Sequence, residues 1–159
     1  MRRDRWRVDG LLTEFRRIAV GFDGSKDSGK AVEVAAELAE RFEGELTIVH
    51  VYSSPRWIYA SYAGIPPPDL EQLERAAKEA AVNVLGKGLQ ISTEHGKKAQ
   101  GELIEAASVV EALAEFTSHE KTDLVVVGSR GTTGLKRLIL GSVSGGLVAH
   151  AACPVLVVR

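Results

Sequence analysis

The chain has 159 residues, a formal charge of −1, 45% apolar residues and a single cysteine. This length suits one domain built around one core. The near-neutral charge argues against binding to nucleic acid or to an anionic membrane through a general basic field. Because Cys153 has no second cysteine to pair with, no internal disulfide can form, as is usual in a reducing compartment.

The start of the chain differs in composition from the rest. Residues 1–17 contain six arginines and one tryptophan, with little apolar periodicity. They lack the apolar stretch of a signal peptide, and no run of about 18 apolar residues occurs in the sequence. We expect residues 1–15 to form a flexible or surface-docked extension, residues 16–159 to form one domain, and the protein to be cytoplasmic.

The first two elements are predicted to be a strand and a helix. An apolar run over 17–22 ends in an Asp-Gly-Ser turn at 23–25, which predicts a strand and a cap for the next helix. Apolar residues then recur every three or four positions over 26–42, which predicts an amphipathic helix that Gly44 ends.

The middle of the chain is less regular. Residues 46–52 are β-branched and apolar, which predicts a strand covered on both faces. Residues 53–68 carry four prolines, three of them consecutive, so we expect a long loop without regular helix. Helical periodicity over 69–95 predicts one helix, although Gly86 and Gly88 leave open a break with a strand at 89–93.

The last third continues the alternation. A strand of weaker pattern is predicted over 98–105, a helix capped by Ser108 to residue 119, and a strand over 123–127. An irregular loop over 128–140, a helix over 142–151 and a strand over 154–159 follow. Strands that alternate with helices in this way predict an α/β fold with a parallel sheet covered on both faces.

The segment after the fourth predicted strand, GSRGTTGLKRLILGSVS, has the composition of a phosphate cradle. Gly128, Gly131 and Gly141 let the main chain approach an anion closely, and Ser142 and Ser144 add hydroxyl donors. Gly141 also opens a helix, whose first N–H groups favour phosphate. In parallel α/β sheets ligands bind beyond the carboxyl ends of the strands, where we also expect Asp23 and Val51.

Several common sites are excluded by spacing. No glycine is followed by Lys-Ser or Lys-Thr, as a P-loop requires, and the glycines after the first strand do not match the dinucleotide pattern. The four histidines have no spacing typical of a metal site. No nucleophile elbow occurs, so we assign no catalytic residue.

With these residues the chain resembles the universal stress proteins, specifically the ATP-binding branch of that family. The branch motif, Gly-x2-Gly-x9-Gly-Ser/Thr, is matched by Gly128, Gly131, Gly141 and Ser142. The match extends over 16–159 and includes 20–25, 50–51 and 150–158. Glu-Ala-Ala-Ser at 105–108 departs from the family pattern, which more often has a glycine and a proline there.

The resemblance implies a three-layer, Rossmann-like fold of the adenine nucleotide alpha hydrolase type, with five parallel strands in the order 3-2-1-4-5. It implies that ATP or AMP binds. We expect any Mg²⁺ or Mn²⁺ to come with the nucleotide and to be held mostly by its phosphates. The main chain of Val51 would meet adenine and Asp23 the base or ribose. Ribose is expected against Val127, Gly128 and Arg130. Phosphates are expected against Gly131, Gly141, Ser142, Val143 and Ser144.

Structural alternatives exist for two of these residues. Asp23 could cap the first helix in addition to binding ligand, and Arg130 could be a solvated surface charge. The apolar strand at 154–159 would leave an open sheet edge, so we expect it to pair with a second copy in a homodimer; the resemblance implies the same.

Three functions remain open from the sequence. The first is a nucleotide-binding regulatory protein of the stress response, with an unknown protein partner. The second is a slow ATPase or another nucleotide hydrolase or transferase on the same fold. The third is a dimeric partner-binding protein with a vestigial site. The first is favoured because the motif offers phosphate donors and no evident base to activate water.

Overall fold

A computed structural model describes residues 15–62, 68–131 and 140–159. Residues 1–14 of the expected N-terminal extension and residues 132–139 of the expected loop at 128–140 therefore lie outside the described residues. The elements, in chain order, are β1 Arg17–Gly21, α1 Lys26–Arg41, β2 Glu45–Tyr52, α2 Pro55–Tyr62, α3 Leu70–Glu94, β3 Gln100–Glu105, α4 Val109–His119, β4 Leu124–Gly128, α5 Ser142–His150 and β5 Val155–Val158.

The five strands form one parallel sheet in the order β3-β2-β1-β4-β5. Helices α1 and α3 pack on one face, and α4 and α5 pack against each other on the opposite side of the sheet. The predicted three-layer α/β architecture and strand order are confirmed. The strand order reverses between β1 and β4, which is where open α/β sheets bind ligands.

Two apolar clusters, one on each face, form the core. Along β1, Ile18 and Val20 face α1, whereas Ala19 points to the α4 and α5 side. The same alternation occurs in β4, because successive strand side chains point to opposite faces. The central strands β1 and β4 are buried on both faces, which accounts for their nearly continuous apolar runs in the sequence.

The turn before α1 is built as the sequence predicts. Ser25 is the N-cap, and its Oγ accepts the N–H of Ser28 at 3.2 Å. Gly24 has φ +82°, and the Asp23 carboxylate accepts the N–H of Ser25 at 3.0 Å. At its C-terminal end α1 stops at Arg41. The chain then turns through Glu43, whose backbone has the left-handed φ of 50°.

Helix α3 is continuous over 25 residues, so the break considered at Gly86 and Gly88 does not occur. A Cβ at Gly88 would lie 2.8 Å from Cδ1 of Phe22 and 3.1 Å from Cγ2 of Ile48. The glycine therefore lets the helix lie close against the sheet. Packing compensates for the low helix propensity of glycine, which costs about 1 kcal/mol relative to alanine.

The expectation of a loop without helix at 53–68 is wrong, because α2 occupies Pro55–Tyr62. Proline suits the first position of a helix, where its missing N–H would have no partner. The side chain of Arg56 also binds Glu74 of α3 through two contacts, at 2.8 and 3.2 Å. This pair attaches α2 to α3, and such a tertiary contact is not visible in the local sequence.

Candidate functional site

Three chain segments meet at the carboxyl edge of the sheet. β1 pairs with both β2 and β4, so that Gly21 lies beside Val49 on one side and Val127 on the other. The residues that follow these strands therefore share one edge, as the sequence predicts for Asp23, Val51 and the glycine segment. A Cβ at Gly131 would lie 2.8 Å from Oδ2 of Asp23, so the main chain at Gly131 comes close to that carboxylate.

The ends of the glycine segment are joined to each other. The N–H of Gly141 donates to the carbonyl oxygen of Ser129 at 2.9 Å. The hydroxyl of Ser144, which is 1% exposed, donates to the carbonyl oxygens of Gly141 and Ser129 at 3.1 and 3.3 Å. The start of α5 is thereby held beside the end of β4, while residues 132–139 lie outside the described residues.

Helix α5 begins at this junction. Gly141 is its N-cap, and no side chain caps the helix there. Ser142 is exposed, whereas Val143 is partly buried against the second core cluster. A helix start without a side-chain cap presents N–H groups and a partial positive charge to an anion.

Two of the residues predicted to contact the base and ribose, Val127 and Val51, have side chains packed into the core. Val127 is 3% exposed, and Val51 packs partly into the same cluster, so only their main-chain atoms are suited to contact a ligand there. The end of β2 is fixed to β1, because Nδ1 of His50 lies 2.8 Å from the carbonyl oxygen of Phe22. Since a carbonyl only accepts, this nitrogen carries the proton.

One acidic residue at this site was not predicted from the sequence. Asp27, in the first turn of α1, is 7% exposed, and its Oδ2 accepts from the hydroxyl of Ser129 and from Nε of Arg130, each at 3.0 Å. The Arg130 guanidinium and the Ser129 hydroxyl hold the pKa of the Asp27 carboxyl below its usual range, although burial acts to raise it. Acidic residues are common in first turns, so the sequence offers no signal for this pairing.

Two clefts lie between described residues, and neither is lined by the predicted nucleotide residues. The first, of about 500 Å³, is bordered by charged side chains of α2 and α3 and by Tyr52 and Glu105. Burial and the hydrogen bond to Glu105 raise the pKa of Tyr52. The second, of about 680 Å³, lies between the end of β3 and α4.

The described residues lack both a metal-binding cluster and a membrane-spanning helix. Within 15–62, 68–131 and 140–159, no group of three or more His, Cys, Asp or Glu side chains could hold a metal ion. In the same ranges no helix has the length and apolar character needed to cross a membrane.

The sequence matches proteins of one family over nearly its whole length. The family model for the universal stress protein family matches residues 14–159. The chain is 35% identical over 151 residues to universal stress protein YxiE of Bacillus subtilis, covering 91% of this chain and 99% of that protein. It is 32% identical over 146 residues to universal stress protein MJ0531 of Methanocaldococcus jannaschii, covering 91% of this chain and 82% of that protein.

Solved structures of similar fold lead to the same family. UspA of Lactobacillus plantarum superposes with a TM-score of 0.75 at 24% identity, covering 93% of this chain and all of that one. A universal stress protein in complex with cAMP has a TM-score of 0.68 at 24% identity and coverages of 92% and 98%. A universal stress protein family protein of Arabidopsis thaliana with AMP bound has a TM-score of 0.59 at 18% identity, and the match covers 89% of each chain. The chain belongs to the universal stress protein family.

Proposed function

We propose that this protein binds an adenine nucleotide, ATP or AMP, and acts as a regulatory module in a stress response. The observation that carries the proposal is the junction at the carboxyl edge of the sheet. There the main chain at Gly128–Gly131 and the start of α5 at Gly141–Ser142 are held together by the bond from Gly141 to Ser129. The N–H groups of Ser129 and Gly141 are donated within the protein, so the main-chain donors proposed for phosphate are those at Gly131 and in the first turn of α5.

The chemistry of the neighbouring side chains fits the remainder of a nucleotide. The Arg130 side chain is 42% exposed and brings a cation to the edge where phosphate or ribose would lie. The Asp23 carboxylate, beside Gly131, offers acceptor oxygens for ribose hydroxyls or the adenine amino group. Val51 would meet adenine through main-chain atoms at the end of β2.

The comparisons add support by likeness of fold. Two of the similar structures hold cAMP and AMP, both adenine nucleotides. Both are below 25% identical to this chain, so they support the class of ligand and leave the contacts to this chain's own residues. We propose that any Mg²⁺ or Mn²⁺ enters with the nucleotide, held mainly by its phosphates.

The open edge of β5 supports a second part of the proposal, a homodimer. β5 pairs with β4 on one side only in the described sheet, and all four of its residues are partly exposed. An apolar edge strand is seldom left bare. Pairing of β5 with its copy about a two-fold axis would cover it.

Isothermal titration with AMP, ATP and GTP tests nucleotide binding. We expect at least one adenine nucleotide to bind with a Kd near micromolar, about −8 kcal/mol, and GTP to bind more weakly. The variant Gly141→Leu should abolish binding, because a Cβ there would already lie 3.1 Å from the Ser129 carbonyl oxygen.

The matched control is Gly145→Ala in the same helix. A Cβ at Gly145 meets no atom within 4 Å, so this variant should bind as the unaltered protein does. Absence of adenine-nucleotide binding below millimolar concentration in the unaltered protein would overturn the proposed function.

A further inference from the structure

The first turn of α1 contacts the glycine segment through both side chains and main chain. Besides the bonds from Ser129 and Arg130 to Asp27, the Ser25 hydroxyl donates to the carbonyl oxygen of Arg130 at 3.4 Å. At Gly128 the main chain passes directly against that of Asp27. The path of residues 128–130 is therefore set by the start of α1, whose residues are not part of the glycine motif.

Asp27 supplies the negative charge within these contacts, and Arg130 supplies the positive one. Its carboxylate is buried, and both donors meet the same oxygen at 3.0 Å. Bonds to ionised groups are shorter and stronger than those between neutral partners. The lowered pKa is consistent with a carboxylate that stays ionised at neutral pH.

The contacts continue from Asp27 to the start of α5. The Ser129 hydroxyl donates to Asp27, while the Ser129 carbonyl oxygen accepts from the Gly141 N–H and the Ser144 hydroxyl. One residue thus joins the buried carboxylate to the helix start. Displacement of Ser129 would move both the Arg130 side chain and the first turn of α5.

We propose that Asp27 is a positioning residue for the nucleotide, an inference that rests on the proposed function. It binds Nε of Arg130, and the arginine side chain remains 42% exposed, so its other guanidinium nitrogens can donate to a ribose hydroxyl or phosphate oxygen. Through Ser129 it also holds the start of α5 in place. Asp27 itself touches no ligand in this arrangement.

Charge and position make opposite predictions for removal of this carboxylate. Replacing Asp27 with Asn removes a negative charge near an anionic ligand, and the loss of Coulomb repulsion alone should tighten binding. Loss of positioning should weaken it. We expect Asp27→Asn to weaken AMP binding about tenfold, the size of one orienting interaction.

The experiment measures Kd for AMP by isothermal titration for the unaltered protein, Asp27→Asn, Arg130→Met and the double variant. If Asp27 acts through Arg130, the double variant should bind about as weakly as Arg130→Met, because coupled residues are not additive. The matched control is Glu37→Gln, which removes the same charge from an exposed position on α1 and should leave Kd unchanged.

Ser129→Ala provides a second, milder variant in case Asp27→Asn does not fold. It removes one donor to the carboxylate and should weaken AMP binding about fivefold, since a hydrogen bond contributes about 1 kcal/mol. Equal or tighter binding by Asp27→Asn, or an unchanged Kd in Ser129→Ala, overturns the positioning role alone. Absence of binding in the unaltered protein overturns both proposals.

Discussion

Gly128, the last residue of β4, lies against the main chain of Asp27 in the first turn of α1. A Cβ at Gly128 would be 2.7 Å from the carbonyl carbon of Asp27 and 2.7 Å from the amide nitrogen of Ser28. Main-chain atoms in a capped helix turn cannot move aside as a flexible side chain can. The glycine that opens the proposed phosphate segment is therefore also required by the packing of α1 on the sheet.

We expect Gly128→Ala to destabilise the protein by about 1–3 kcal/mol, as overpacked sites do. The matched control is Gly86→Ala in α3, where a Cβ would meet no atom within 4 Å. This control should stabilise by about 0.5–1 kcal/mol, because alanine favours helix. Urea unfolding measures both, and a neutral Gly128→Ala would contradict the close approach seen at this position.

We expect Asp27→Asn to lower the free energy of unfolding by about 1–3 kcal/mol at neutral pH, because it weakens bonds to an ionised group. The folded-state pKa of Asp27 is lowered. Its stabilising contribution is therefore complete above the unfolded-state pKa of about 4 and is lost as pH falls through the lower folded value.

Urea unfolding at a series of pH values compares the two proteins. The difference in stability between them should shrink as the pH falls below about 4. A difference that stays constant down to the lowest pH at which both fold would show that ionisation of Asp27 contributes nothing.

The proposed dimer can be tested through the outward-facing groups of β5. The carbonyl oxygen of Pro154 accepts from the N–H of Val125 in β4 at 3.0 Å, and that of Val158 accepts from the N–H of Ser129, just after β4, at 2.6 Å. Because bonding directions alternate along a strand, the main-chain groups of Val155 and Val157 point to the open edge. Val157→Pro removes one of those donors while leaving the bonds to β4.

Two such bonds are lost per dimer, each contributing about 0.5–1.5 kcal/mol, so the dimer should weaken about 5- to 150-fold. Sedimentation velocity over a range of concentrations measures this, and circular dichroism confirms that the variant folds. An unaltered protein that is monomeric at micromolar concentration would contradict the dimer itself.

The hydrogen bond from Tyr52 to Glu105, in the cleft bordered by α2 and α3, can be tested through the pKa of the Tyr52 phenol. Its pKa is raised by burial and by the nearby Glu105 carboxylate, whose Oε2 accepts from the hydroxyl at 3.1 Å. Glu105→Gln removes the negative charge and should lower the pKa of Tyr52. Ultraviolet absorbance of phenolate against pH follows the change, with Tyr52→Phe identifying which transition belongs to this residue; an unmoved transition would contradict the pairing.

The elements that local pattern determines were predicted well. The strands, the long α3 and the caps at Ser25 and Ser108 follow from apolar periodicity, β-branched runs and the hydroxyl side chains at helix starts. The parallel sheet with helices on both faces follows from strict alternation of strands and helices. The glycine segment, Asp23 and Val51 were predicted from residue chemistry and the positions of strand ends, whereas the strand order and the part of the nucleotide assigned to each residue came from the resemblance to the family.

Helix α2 and the role of Asp27 could not be predicted in the same way. Each depends on a partner far along the chain: Arg56 with Glu74, and Asp27 with Ser129 and Arg130. The glycines at 88 and 128 share this property, because what excludes a side chain there is another element's atoms.

The sequence by itself determined which segments become strands and helices and that a glycine segment follows β4, because periodicity, capping and φ preferences act within a few residues. Only the tertiary structure decided that the buried Asp27 binds Ser129 and Arg130, that α2 lies on α3, and that Ser144 joins the two ends of the glycine segment. Those contacts depend on distances between residues far apart in the chain, and such distances exist only once the sheet has formed.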